Sequence, residues 1–116
     1  MAAPNIVGVT TISGKTSVQL VTTSATAIVT NAAASGKVVK VNALYISNIT
    51  GTLTTVDIDV YRGSTAYHIA KTIQVPANST LDIISKSVYL EENDSLRLTA
   101  SADTTLEAVC SYEEIS

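Results

Sequence analysis

Val38-Val39-Lys40-Val41-Asn42-Ala43-Leu44-Tyr45-Ile46-Ser47 is followed by a break at Asn48-Ile49-Thr50-Gly51. Next come Thr54-Thr55-Val56-Asp57-Ile58-Asp59-Val60-Tyr61, a second break at Arg62-Gly63-Ser64, and a third run opening at Ala66-Tyr67. In the middle run Val56, Ile58 and Val60 fall on one face. Thr55, Asp57, Asp59 and Tyr61 fall on the other, because side chains alternate along a strand. A period of two with one charged face predicts an antiparallel strand, one side on a core and the other in water. The three runs together read as a β-meander. Within the first, the inward phase moves from Val39 and Val41 to Leu44 and Ile46, which predicts a β-bulge or burial on both faces.

The flanking sequence continues in the same manner. Upstream, residues 16–21 predict a first strand with Val18 and Leu20 inward, and residues 25–30 a second. Downstream, residues 67–75 form a strand that must stop at Pro76, which lacks an N–H and fixes φ. Further strands are expected at 81–84, 88–90, 95–100 and 106–112, with Leu96 and Leu98 inward and a short acidic tail after Tyr112. Residues 1–14 carry no charged side chain and hold Ile6, Val7, Val9 and Ile12 among Gly and Thr. They read as an extended N-terminal arm, which closes an edge of its own sheet or reaches a neighbouring subunit. The expected fold is therefore all-β. It is an antiparallel β-sandwich, jelly-roll-like or immunoglobulin-like, of eight to nine short strands, with an arm over 1–14 and one domain over 15–116.

Composition agrees. Thr, Val and Ile are abundant, Phe and Trp are absent, and only 15% of residues are charged. Branched Cβ atoms are crowded in helices and fit the pleat. A chain of 116 residues buries enough surface to fold as one domain without a staple, and a single cysteine allows no internal disulfide. The net charge of −3 and the lack of a basic cluster weigh against nucleic-acid binding. No apolar run is long enough to span a membrane, and the start of the sequence does not read as a signal peptide, so assembly in a cytosol is expected.

The residues offer little chemistry. His68 is the sole histidine and lacks a Gly-x-Ser-x-Gly elbow or an obvious carboxylate partner. Cys110 is in phase with Leu106 and Ala108, as a buried apolar residue would be. Asp57 and Asp59 share a face, but one strand alone supplies too few oxygens for calcium, and solvated edges account more simply for them and for Glu91, Glu92 and Asp94. Asn48, Asn78 and Asn93 each open an Asn-x-Ser/Thr triplet, at turns where Asn is favoured in any case. No catalytic residue, metal site or cofactor is expected.

The chain resembles small structural proteins of the virions of tailed bacteriophages, particularly those infecting marine cyanobacteria. The resemblance lies in Pro4-Asn5-Ile6-Val7 with Ile12-Ser13-Gly14-Lys15-Thr16, and in Ser35-Gly36-Lys37-Val38 with Leu44-Tyr45-Ile46-Ser47-Asn48. It continues in Val60-Tyr61-Arg62, in residues 70–80 and 89–96, and in residues 106–114. These are strand and turn signatures. Where that pattern has Glu-Gly-Asp, this chain has Glu92-Asn93-Asp94, a change that Asn tolerates because it adopts left-handed backbone angles. The resemblance implies a non-enzymatic capsid decoration or cement protein on the outer surface of the virion, bound to the major capsid protein and homotrimeric, with no nucleic-acid or membrane partner. The alternative is a neck, tail or fibre component, with Tyr45, Tyr61 and Tyr67 available to another virion protein or a host glycan. The expected partner-binding residues are those of the apolar arm: Asn5, Ile6, Val7, Val9 and Ile12.

Overall fold

The computed structural model describes Gly8 and residues 10–116. In chain order the strands are β1 (Ile12–Leu20), β2 (Thr26–Thr30), β3 (Val38–Asn48), β4 (Thr54–Arg62), β5 (Thr65–Val75), β6 (Thr80–Asp82), β7 (Val88–Leu90), β8 (Ser95–Ala100) and β9 (Leu106–Ile115). They form two antiparallel sheets. One has the order β1-β9-β3-β6, with β7 also paired to β3, and the other has the order β2-β8-β4-β5.

The pairings are nested. β4 pairs with β5, β3 with β6 and β7, β2 with β8, and β1 with β9. The chain is in effect one long hairpin, rolled so that successive pairs fall alternately in the two sheets. β9 also pairs with β3, and β8 with β4, which stitches each sheet across the roll. This is a jelly roll, and it decides between the two sandwich types expected from the sequence.

The inner faces make the core. Val41, Leu44, Ile46, Leu106, Ala108 and Cys110 from one sheet meet Val56, Ile58, Leu96 and Leu98 from the other, all buried. The expected phase change in β3 is a bulge: Val41 stands opposite Tyr112 and Ala43 opposite Ser111, leaving Asn42 as the extra residue. Before it Val39 and Val41 are buried, and after it Leu44 and Ile46.

Several boundaries differ from the sequence reading: β5 starts at Thr65 rather than at residue 67, β6 ends at Asp82 rather than at residue 84, and the two ends of the chain differ most. β1 starts at Ile12, so Ile12, Ser13 and Gly14 are not arm but sheet, opposite Ile115, Glu114 and Glu113. For the same reason Glu113, Glu114 and Ile115 are not a tail but the end of β9, held between β1 and β3. The acidic composition there does not oppose pairing, because Glu114 is bridged by Lys15 at 3.1 Å and Lys37 at 3.2 Å. The domain boundary expected at 14/15 therefore falls inside a strand. Asn5, Ile6, Val7 and Val9 lie outside the described residues.

At the apex of the roll Arg62 pairs with Thr65 across a two-residue turn, and both turn residues are left-handed: Gly63 at φ 58° and Ser64 at φ 63°. Such a turn matches the twist of the flanking strands. A Cβ on Gly63 would meet no atom within 4 Å, so a side chain there is opposed by backbone conformation alone. Gly63→Ala is expected to cost about 1–2 kcal/mol, read as a lower midpoint with unchanged slope in urea unfolding.

Candidate functional site

The outer face of the β1-β9-β3 sheet carries an apolar row. Val18 on β1 lies opposite Val109 on β9, and Val109 lies opposite Tyr45 on β3. Val18 is 73% exposed, and Leu20, Tyr45 and Val109 are each about 40–50% exposed. Val18, Leu20 and Val109 line a shallow depression of about 300 Å³ together with Gln19, Glu107 and Ala108. This reverses the expectation that Val18 and Leu20 point inward.

The cause is visible at the flank where β1 and β2, outer strands of opposite sheets, run side by side. Ser17 Oγ donates to the Ile28 carbonyl at 2.8 Å, and Gln19 Nε2 donates to the Ala27 carbonyl at 3.0 Å. The inward face of β1 is thus polar because it satisfies carbonyls on the edge of β2, near the irregularity between Ala27 and Val29. Alternation then forces Val18 and Leu20 outward. The pair Leu20-Val21 held the clue: adjacent apolar residues cannot share a face, and it is Val21 that is buried. Ile12, the one expected partner-binding residue among those described, is 58% exposed on the same outer face as Val18. It lies six residues away, roughly 20 Å at strand rise.

The acidic groups are committed to structure. Asp59 is buried on the outer face of β4, bound by Arg97 Nε at 2.9 Å, and Arg97 in turn lies 3.9 Å above the Tyr61 ring. It is therefore not the solvated edge residue expected. Asp57 accepts from the Thr72 N–H at 2.7 Å, holding a left-handed residue at φ 53° in β5, and meets Lys71 at 3.4 Å. Neither carboxylate is arranged for acid–base work or a cation, and no metal-binding group of His, Cys, Asp and Glu occurs among the described residues.

Asp94 closes the turn after β7. It is buried, accepts from Arg62 Nε at 2.8 Å and from the Glu91 N–H at 2.8 Å, and follows Asn93 at φ 71°. Asn93 thus takes the left-handed angle anticipated for it. Burial pushes the Asp94 carboxyl up, but the Arg62 hydrogen bonds, the Glu91 N–H and the guanidinium charge together hold it below its ordinary 3.8. The Lys15 hydrogen bond, helped by Lys37 and opposed by burial, likewise holds Glu114 below 4.5.

The remaining candidates settle simply. His68 stands opposite Asp59, whose carboxylate is engaged by Arg97, and no hydrogen bond joins His68 to a serine or carboxylate among the described residues. Cys110 is buried as expected, and burial pushes its thiol up to about 11, so it is not a nucleophile at neutral pH. Asn48 is buried, and its amide nitrogen donates to the Thr52 and Val75 carbonyls at 2.8 and 3.0 Å, which leaves no room for a glycan. No protein-family model matches the chain, and no curated protein matches it.

The lowered carboxyls set the acid limb of stability. Each contributes fully above its unfolded value, and the contribution drains away as pH falls through the folded one. Denaturation midpoints are expected to decline below about pH 4.5. Asp94→Asn should cost about 1–3 kcal/mol at neutral pH, and its difference from wild type should shrink as pH falls towards 2. Urea titrations across that range check both.

Proposed function

We propose that this chain is a non-enzymatic structural protein of a phage virion, most specifically a capsid decoration or cement protein that binds the outer head lattice and stabilises it. The observation that carries the reading is the Val18–Val109–Tyr45 row, apolar residues directed away from their own core across three adjacent strands. Such a row is stable in water only at a cost, and covering it with a partner removes that cost. Its place beside an outer strand suits docking on a lattice, where contacts of modest area repeat many times. The resemblance to phage structural proteins supports the major capsid protein as the partner in this reading, with a second copy of the chain as the further one. The polar, net negative remainder of the surface would keep a heavily coated particle soluble.

A neck, tail or fibre role is the second reading. It is favoured by the exposure of Tyr67 on the far flank, away from the apolar row.

Quantifying the chain against the major capsid protein in separated heads and tails distinguishes the two. A near-stoichiometric ratio in heads is expected. A few copies confined to the neck or tail fraction overturn the decoration reading. The double variant Val18→Asp, Val109→Asp is expected to fold, since both side chains are exposed, and to lose affinity for expanded heads by on the order of tenfold or more. Undiminished binding would remove this face from the proposal.

A further inference from the structure

The sandwich has a second flank, between β5 and β7, which are outer strands of opposite sheets. No side-chain hydrogen bond joins β5 to β7 among the described residues, and the tie across this flank is Arg62 of β4, bonded to Glu91 and Asp94 in the turn after β7. The flank holds a cleft of about 370 Å³ lined by Val60, Arg62, Tyr67, Val88 and Tyr89. Tyr67 stands opposite Val60, so it projects from the core-facing side of β5. It lies beyond the cover of the opposing sheet and is 58% exposed. Val60 and Val88 pack against the core and form the base. Tyr89 comes from the other sheet and is 44% exposed.

Arg62 gives the cleft a fixed polar group. Its Nε and Nη2 are engaged by Asp94 and Glu91, while Nη1 makes no hydrogen bond among the described residues and the side chain is half exposed. Buried Asp94 holds the guanidinium in place, so its free N–H groups are presented without further ordering cost.

The ligand chemistry follows by elimination. Arg62, the one charged residue of the lining, is already paired with Asp94 and Glu91, so the cleft presents an anion with no unpaired positive charge. A wholly apolar ligand would cover Arg62 Nη1 and two tyrosine hydroxyls without partners. A neutral pyranose has an apolar C–H face for an aromatic ring and a rim of hydroxyls for the guanidinium and phenols, and the volume is of ligand-pocket size. We propose that the β5–β7 flank is a binding site for a neutral sugar residue, with Tyr67 and Tyr89 as stacking surfaces and Arg62 as hydrogen-bond donor. The site rests on these side chains and does not depend on the decoration reading, so its failure would leave that reading standing.

Backbone-amide NMR titration of the full chain tests it. The probes are the methyl β-glycosides of glucose, galactose and N-acetylglucosamine, with methyl glucuronide and N-acetylneuraminic acid as anionic comparisons. At least one neutral glycoside is expected to give saturable shifts centred on Arg62, Tyr67 and Tyr89, with a Kd of about millimolar order, as suits a ligand of about a dozen heavy atoms. Tyr67→Ala and Tyr89→Ala should each weaken it by about tenfold, and Tyr67→Phe, which keeps the ring, by much less. Absence of saturation with all three neutral probes overturns the site. So do shifts centred elsewhere, or tighter binding of an anionic probe. The wild-type shift map decides without any variant. Both tyrosines are exposed, so melting temperatures close to wild type are expected and confirm that a weakened variant is folded.

Discussion

The structure depends on the pairing of β3 with β9, and on the single extra residue, Asn42, that lets it run the full length of both strands. β9 keeps one phase, with Leu106, Ala108 and Cys110 facing the core. β3 does not, since Val39 and Val41 are buried on one side of Asn42 and Leu44 and Ile46 on the other. Without the bulge, alternation would turn one half of β3 outward. With it, β3 stays in register with β9 along its length and receives β6 and β7 on its opposite edge. The roll therefore closes around a strand that has changed face midway.

Polar groups do the corresponding work where the chain leaves the sheets. Asn31, Asn48 and Asp94 are buried at the ends of strands or in the connections between them, and each satisfies backbone groups that no strand can reach. Asn31 donates to the Lys37 and Leu90 carbonyls, Asn48 to those of Thr52 and Val75, and Asp94 accepts from the Glu91 N–H. A buried side chain of this kind stabilises through the desolvation cost that its absence would expose. The same logic explains β1, where donors to the β2 carbonyls take the inward face and the aliphatic side chains take the outward one. The outward apolar row is thus a consequence of how one flank of the roll is closed. The cleft on the other flank is a consequence of its being left open.

Much of this was legible beforehand. The positions of β3, β4 and β5, the phase change in β3, the burial of Cys110 and the left-handed Asn93 all follow from alternation, branched Cβ atoms and the tolerance of Asn for positive φ. The expected meander does not form: only β4 and β5 are a hairpin, while β3 crosses to the other sheet and pairs with β9, β6 and β7. Less was legible wherever the deciding partner was distant in sequence. Val18 and Leu20 looked inward because apolar residues usually are, and only the carbonyls of Ala27 and Ile28 reverse them. Asp59 looked solvated until Arg97 and Tyr61 closed over it. The cleft joins residues from β4, β5 and β7, which no local pattern associates.

By itself, then, the sequence determined the all-β class, most strand positions and the apex turn at Gly63-Ser64, because these depend on neighbours within a few residues. Tertiary structure alone decided the nested order of the strands, the extension of β1 and β9 into segments that read as arm and tail, and which face of β1 meets water. Those outcomes depend on hydrogen-bonding groups brought together from opposite ends of the chain, and strand periodicity carries no information about which edge will lie beside which.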